Sequence, residues 1–509
     1  MGSHRRLAAL EARYDLVIVG GGITGAGVLR EAVRTGARVL LVEAGDYASG
    51  TSSWSSKLVH GGLRYLKEGQ WRLTLESVRE RERLRREAPG LVEPQPFLMP
   101  IYAGRKPGRA LMQVGLFVYD LMAGSRKSRW LPRAAALAAT PELRTEGLQG
   151  AMAYEDAQTD DARLVLRLIL EAQSAGAAAL NHVRAELLQE QGRVRGVRLH
   201  DRLDGSSVEV EAGVVVNATG AWAGALPGAP AGAPKLRPLR GSHLVFPAAR
   251  LPLRQAVSWL HPRDGRPVFA YPWEGATLYG TTDLDHEGAL ETPRITSGEV
   301  AYLMEALDWQ FPQLRLAARE ALCSYAGVRP VVASGKDDPS AESRESALWT
   351  APGLVGITGG KLTTFRVTAR EVLAAAAREV PALVPAPEAP VLTTPAGSDP
   401  RLCGRLGAAA EALQREFPAE AVERVGDTPY RWAELRWALR HEQVARLDDL
   451  MLRRTRLGLV APQGAAAFLP RIATLCREEL GWDEARWAHE LAAWQTLWQT
   501  RHAPPEIDR

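Results

Sequence analysis

Cysteine is nearly absent from this chain of 509 residues: Cys323, Cys403 and Cys476 are its three. None stands in a CxxC pair. Neither a disulfide framework nor a zinc site is indicated, and a reducing compartment is expected. Charge imbalance is also missing. Lys and Arg number 63 against 59 Asp and Glu, a net charge of +4, too weak to indicate nucleic acid. No run of about 18 apolar residues occurs, so no spanning helix is expected. The opening MGSHRRLAALEARYD lacks the apolar stretch of a signal peptide and reads as a short helical or frayed lead-in. No internal repeat is visible, and no iron–sulfur, haem or other metal-ligand set.

What is present is an ordinary soluble composition, 46% apolar and 24% charged. The length suggests two or three domains. YDLVIVG (residues 14–20) reads as a buried parallel strand, GGITGAGVLREAVRTG as loop and helix, and ARVLLVEAG as a second strand. In this βαβ unit Gly20, Gly22 and Gly25 form GxGxxG between strand and helix. The first allows the tight turn, the second lets the backbone approach a pyrophosphate, and the third lets helix and strand pack closely. Glu43 ends the second strand, where its carboxylate can accept from ribose hydroxyls. The unit predicts a dinucleotide cofactor.

Two later stretches favour FAD over NAD. VVVNATGAW runs a strand into the small residues Ala218, Thr219 and Gly220, suited to the ribityl and pyrophosphate region. GITGGKLTT (Gly359, Gly360, Lys361, Leu362, Thr363) is a glycine-rich turn before a helix, whose N–H groups suit the negative N1/O2 edge of a flavin. Further along, VPAPEAPVLTTPAGSDP is proline-rich and reads as a linker. Everything after it is helical in pattern.

With these residues in hand, the chain resembles the FAD-dependent glycerol-3-phosphate dehydrogenases. The resemblance rests on DLVIVGGGITGAG, SSKLVHGGLRYL, GLFVYD, DDARLVL, VNATGAW, GSHLVFP, GTTD, YAGVRP, GGKLTTFR and LRRTRLG, in family order. The chain lacks the long insertion of the related glycerophosphate oxidases. The resemblance implies an α/β FAD-binding domain of the Rossmann-like (glutathione-reductase/D-amino-acid-oxidase) type. It also implies an interleaved α+β antiparallel-sheet substrate domain and an all-α C-terminal domain. The expected boundaries are residues 14–90, 150–232 and 322–380 for the FAD-binding domain, and 91–149 and 233–321 for the substrate domain. Residues 381–400 form the linker and 401–509 the helical domain.

The implied reaction is oxidation of sn-glycerol 3-phosphate to dihydroxyacetone phosphate, with hydride passing to flavin N5 and electrons to a membrane quinone. An oxidase using oxygen is the alternative; a non-catalytic flavin or glycerol phosphate binding protein is a third. FAD is expected to be non-covalent, since no histidine or cysteine lies beside the finger.

The family's site maps onto particular residues. Thr51, Ser52 and Ser53 would donate to cofactor phosphates and ribityl chain, while Gly61 and Gly62 let the backbone pass close to the flavin. His60 is the expected proton acceptor, with His243 as rival. Arg64, Tyr65 and Thr281 would reach substrate oxygens. Arg329 is the expected phosphate ligand, joined by Arg344 and Lys361. Lys57 is open between a surface, a cofactor and a site contact.

The cluster Arg453, Arg454, Arg456 reads either as a contact to acidic lipid or as an interdomain salt-bridge set. Residues 110–124, the most apolar segment outside the strands, read as buried in the substrate domain, or as facing membrane or quinone. Peripheral attachment to the cytoplasmic membrane face is expected; a homodimer is compatible with the sequence.

Overall fold

The computed structural model describes residues 6–62, 70–335, 342 and 345–505. Arg64, Tyr65 and Arg344 lie outside the described residues.

Two sheets organise the chain. The first runs Ser346–Ala351, Leu354–Gly359, Ser207–Asn217, Arg13–Val19, Val39–Val42, Ala178–Leu180. Arg13–Val19 pairs in parallel with both neighbours. Its Leu16, Val17 and Ile18 are fully buried, which is why the strand is a continuous apolar run and not an alternating one. The finger helix Ile23–Val33 covers one face, against helices Asp161–Ser174 and Phe365–Ala376. Asp160 caps the helix after it by accepting from the Arg163 N–H.

The second sheet runs Leu284–Asp285, Leu236–Pro247, Ala276–Gly280, Pro267–Trp273, Ala256–Leu260, Val92–Tyr102, Leu148–Thr159, Leu58–Val59. Two expected boundaries shift here. Leu148–Thr159 pairs antiparallel with Val92–Tyr102, and Cys323–Val332 pairs antiparallel with Leu236–Pro247. Both strands belong to this second sheet, although the sequence placed residues 150–159 and 322–332 in the first domain. An apolar strand can close either sheet, and only its pairing partner decides. GLVGITGG does return to the first sheet, as expected.

The C-terminal region is helical, with Trp432–His441, Leu469–Leu480 and Glu484–Arg501 its longest elements. It shares one apolar core with the second sheet: Trp273 and Tyr325 pack in the same cluster as Tyr430, Leu435, Leu439, Trp494 and Trp498. Residues 381–400 are not a free linker. Leu383, Val391 and Leu392 are buried in the core of the first domain, and Thr394 Oγ1 donates to the Glu87 carbonyl at 3.0 Å.

Of the two readings of the arginine cluster, the salt-bridge set holds. Arg453, Arg454 and Arg456 are buried, so they meet no lipid. Thr455 N–H donates to the Leu450 carbonyl, a π turn, and from this wide turn both Arg453 and Arg454 reach Asp46. Arg456 pairs with Asp160 and Asp161. These pairs bolt the helical region to the first domain. Asp46, His182 and Asp449 place metal-ligand-type atoms within 4.8 Å of one another, but Arg453 and Arg454 already bring positive charge to that spot.

Residues 110–124 correct the expectation of burial. They form helix Arg109–Ala123, and only one face of it is buried, through Met112, Leu116, Tyr119 and Asp120. The opposite face is exposed.

Candidate cofactor and substrate site

The finger is shaped as its glycines require. Gly20 has φ +114°, and a Cβ there would lie 2.5 Å from the Ala218 carbonyl oxygen. A Cβ on Gly25 would lie 1.9 Å from the Gly20 carbonyl oxygen. Gly22 caps the helix with no side-chain hydrogen bond, so the first helical N–H groups are available for an anion, apart from Ile23, which donates to Ser52 Oγ at 2.9 Å. Glu43 is half-buried and accepts from the Gly21 and Gly45 N–H groups, both at 2.7 Å. Burial raises its pKa, and these two hydrogen bonds oppose the rise. Glu43 thus braces the loop that carries the finger.

Two turns converge on the finger. Ala218 N–H donates to the Val19 carbonyl, which sets the crossover Ala218, Thr219, Gly220 beside Gly20. Gly359 and Gly360 both have positive φ, +74° and +77°, and lead through Lys361, Leu362 and Thr363 into helix Phe365–Ala376. Thr358 Oγ1 donates to the Gly220 carbonyl at 2.8 Å, tying the two turns together.

The third wall is the strap 51–62. Its hydroxyls divide. Thr51, expected to face the cofactor, instead donates to the Val328 carbonyl at 2.5 Å. Ser52 braces the helix start. Ser53 Oγ is buried and has no hydrogen-bond partner among the described residues. A buried polar atom without a partner is costly, and a cofactor oxygen at this wall would satisfy it. The open helix N-terminus, the two glycine turns and Ser53 fit FAD.

Lys57 is neither a surface nor a cofactor contact. It is fully buried, has φ +54°, and gives its ammonium to the Ser53 carbonyl and to both oxygens of Asp161 at 2.9 Å. Burial pushes its pKa down to about 8, against the pull of Asp161. Asp161 also accepts from Ser55 N–H, Ser55 Oγ and Arg456. One carboxylate therefore holds the strap and the helical region together. Asp161→Asn leaves Lys57 and Arg456 buried without their shared anion. We expect a loss of about 3 kcal/mol of stability, read from the midpoint of urea unfolding; an unmoved midpoint refutes this account of Asp161.

Gly61 also has a reason that the sequence did not show. A Cβ there would lie 2.4 Å from both Tyr119 Oη and Val78 Cγ2. Its N–H donates to Tyr119 Oη at 2.9 Å and to Asp156 Oδ1 at 3.2 Å, and Arg81 donates to the same two groups. This buried Arg81–Tyr119–Asp156 set fixes the backbone beside His60. Gly62 has φ +78°, which only glycine adopts without strain.

His60 is half-buried, and Thr363 Oγ1 donates to its carbonyl at 3.4 Å. Burial lowers the His60 pKa, Asp156 opposes this, and Lys361 and Arg81 add to it. His60 and Lys361 are thus electrostatic neighbours. His243 lies across the site: its Nε2 is 2.9 Å from Ser56 Oγ, its ring stacks on Tyr325 at 4.7 Å, and its Nδ1 is buried with no hydrogen-bond partner among the described residues. Burial, then Arg329 and Lys57, put its pKa well below the ordinary value. Both shifts favour the neutral imidazole.

Arg329 comes from the second sheet. The missing side chain of Gly241 leaves room for it, since a Cβ there would lie 2.2 Å from Arg329 Nη2. The guanidinium donates to Asp283 Oδ1 at 2.8 Å and to Thr281 Oγ1 at 3.3 Å. The structure therefore places Arg329 and Thr281 side by side, with Asp283 holding the arginine in place.

Sequence reasoning missed Asp156, Tyr119, Arg81, Asp161, Ser56, Tyr325 and Asp283. DDARLVL, GLFVYD, YAGVRP and GTTD contain four of them, but as motifs they gave no partner. Asp156 and Arg81 sit in ordinary helix and strand patterns that carry no signal.

Comparison with known proteins bears on this geometry. The family described as FAD dependent oxidoreductase matches residues 15–375, and the C-terminal domain of alpha-glycerophosphate oxidase matches residues 395–487. The chain is 40% identical over 367 residues to the aerobic glycerol-3-phosphate dehydrogenase of Bacillus subtilis; the match covers 71% of this chain and 66% of that one. The X-ray structure of the glycerol-3-phosphate dehydrogenase from Bacillus halodurans, complexed with FAD, superposes with a TM-score of 0.78 at 27% identity, covering 98% of this chain and 97% of that one. The FAD-bound L-alpha-glycerophosphate oxidase from Mycoplasma pneumoniae shares the fold, with a TM-score of 0.58 at 19% identity over 76% of this chain and all of that one.

Proposed function

The chain belongs to the FAD-dependent oxidoreductase family, and we propose that it oxidises the C2 alcohol of sn-glycerol 3-phosphate to dihydroxyacetone phosphate. The observation that carries this reading is the pairing of imidazole with cation. Lys361 acts on His60 and Arg329 on His243, each disfavouring the charged ring. A phosphorylated alcohol needs both: a base for the hydroxyl proton and guanidinium or ammonium for the phosphate. The relatives named above, which carry the name of this substrate, support the choice.

FAD, when bound, accepts the two electrons and the hydrogen that leave C2. The finger Gly20, Gly22, Gly25, the crossover Ala218, Thr219, Gly220 and the turn Gly359 to Thr363 would hold it, without a covalent link. His60 takes the hydroxyl proton, and the Arg81–Tyr119–Asp156 set keeps its backbone in place. Arg329, steadied by Asp283, and Lys361 hold the phosphate; Thr281 contacts a substrate oxygen. The electrons pass on to a membrane quinone at the cytoplasmic face. No helix among the described residues is long and apolar enough to cross a membrane, so that contact would be peripheral.

Anaerobic addition of glycerol 3-phosphate to the yellow protein should bleach it, and glycerol should not. Reoxidation by a quinone analogue should outpace reoxidation by air; the reverse order favours the oxidase. Absence of bleaching defeats the proposal. Arg329→Ala should cost about 2–4 kcal/mol in kcat/KM for glycerol 3-phosphate. If the variant still prefers the phosphorylated substrate as strongly as the parent does, Arg329 is not the phosphate ligand.

A further inference from the structure

Three buried groups from three elements meet behind His60: Arg81 from helix Trp71–Glu87, Tyr119 from helix Arg109–Ala123 and Asp156 from strand Leu148–Thr159. Asp156 is the acceptor for the other two. Its Oδ1 takes Arg81 Nη1 at 2.7 Å and the Gly61 N–H at 3.2 Å, and the Tyr119 hydroxyl donates to its Oδ2 at 3.0 Å. Tyr119 Oη itself accepts from the Gly61 N–H at 2.9 Å and from Arg81 at 2.8 Å. Every hydrogen-bonding position of that hydroxyl is taken, and a set so fully connected is rigid.

The place of Asp156 relative to His60 follows from strand pairing. Leu58 pairs with Gln158 and Val59 with Ala157, antiparallel. Continued by one residue, that register sets His60 opposite Asp156. The carboxylate then accepts from the N–H of the next residue, Gly61. Charges of both signs act on the imidazole: Asp156 favours the charged ring, while Lys361 and Arg81 disfavour it. Tyr119 and Tyr154, also beside Asp156, are neutral, since burial pushes both phenols far up. Behind these groups Glu82 pairs with Arg81 at 2.9 Å, and Glu76 lies within electrostatic reach of Lys361.

Anchoring a backbone does not require these charges. A hydroxyl or an amide would hold the Gly61 N–H without burying an ion pair, which is costly to build. The proton step supplies a reason for them. When His60 takes the hydroxyl proton the ring becomes a cation, in a confined place that already holds Arg81 and Lys361. An anion is needed there to offset the charge. A carboxylate without Arg81 would do the opposite harm: it would keep the ring protonated at rest and unable to act as a base. A carboxylate partly offset by an arginine avoids both.

We propose that Asp156 is a positioning residue for His60, holding the backbone at Gly61 and stabilising the ring once it carries the substrate's proton, with Arg81 as the counterweight that leaves the ring unprotonated beforehand. The proposal rests on the reading of His60 as proton acceptor and deepens it.

The test uses FAD-loaded Asp156→Asn, Arg81→Gln and Tyr119→Phe. Two readouts are taken against pH. One is stopped-flow reduction of the flavin by glycerol 3-phosphate. The other is the titration of the His60 ring by NMR of histidine-labelled protein, its signal assigned by its loss in His60→Asn. In Asp156→Asn both the ring titration and the rising limb of the reduction rate should move to lower pH, by about one unit or more. The level rate above the limb should fall severalfold, because the base is weaker. In Arg81→Gln both transitions should move to higher pH, and rate lost at neutral pH should return as pH rises. Tyr119→Phe removes a hydrogen bond from Gly61 but no charge, so both transitions should stay at the parent's pH.

Packing damage alone does not produce opposite shifts in the two charge variants. A slower Asp156→Asn whose two transitions stay at the parent's pH overturns the proposal and makes Asp156 a backbone anchor only. Where Asp156→Asn loses its flavin, Arg81→Gln decides: transitions unmoved, or moved to lower pH, overturn the proposal. A rate limb that survives in His60→Asn overturns the reading of His60 as the base, and the ring titration still decides whether Asp156 and His60 act as a pair.

Discussion

Gly25→Val will emerge from purification without yellow colour. A Cβ at this position lies 1.9 Å from the Gly20 carbonyl oxygen, more than an ångström inside contact distance. The obstacle is backbone, so no rotamer change relieves it. The finger helix must move away from strand Arg13–Val19. The N–H groups proposed to face the pyrophosphate move with it, and the electrostatic attraction they would supply falls off within a turn of the helix. Even the alanine variant meets this clash. The measurement is the ratio of flavin to protein absorbance, with circular dichroism to confirm the helices. Gly298→Ala is the control, because a Cβ there meets nothing within 4 Å. Full flavin content in Gly25→Val would remove the finger from the cofactor site.

His60→Asn should keep its FAD and bind substrate, yet reduce the flavin about 10²–10⁴-fold more slowly, the usual worth of a positioned base. Asparagine retains polarity and approximate size but cannot take a proton near neutral pH. In the parent, burial lowers the pKa of His60, with Lys361 and Arg81 acting in the same direction against Asp156. The neutral ring is the active form. The reduction rate should therefore rise with pH below the ordinary value of 6.5 and be level by neutrality. In His60→Asn that rise should vanish. Single-turnover reduction at the parent's rate would transfer the role to His243, whose Nδ1 has no hydrogen-bond partner among the described residues.

The shape of the finger and of the glycine turns beside it was legible in the sequence because its determinants are local. Gly20, Gly22 and Gly25 are fixed by the path of one loop, and Gly359 and Gly360 by positive φ in one turn. The apolar run before Gly20 reads as a buried strand, and its Leu16, Val17 and Ile18 are fully buried. Such features depend on backbone geometry over a few residues, and residue type reports on it directly. The family resemblance supplied His60, Lys361, Thr281 and Arg329 as names, but neither it nor any spacing said what stands beside them.

What the tertiary structure decided depends on pairs far apart in the chain. Lys57 looked free until Asp161 closed on it from 104 positions away. Arg453, Arg454 and Arg456 offered a basic patch, and Asp46, Asp160 and Asp161 turned it into a buried bolt. Gly61 is needed because Tyr119 and Val78 fill the space in front of it. Strands Leu148–Thr159 and Cys323–Val332 joined the second sheet through partners that their own patterns do not specify. Helix Arg109–Ala123 shows the limit most plainly. Its sequence marked the most apolar segment outside the strands, and a helix apolar on most of its surface can be buried on either side. Which side faces solvent was settled only when Tyr119 met Asp156 and Gly61, leaving Leu111, Val114, Phe117 and Leu121 outside. Burial is a property of the partner as much as of the residue, and a single sequence does not state its partners.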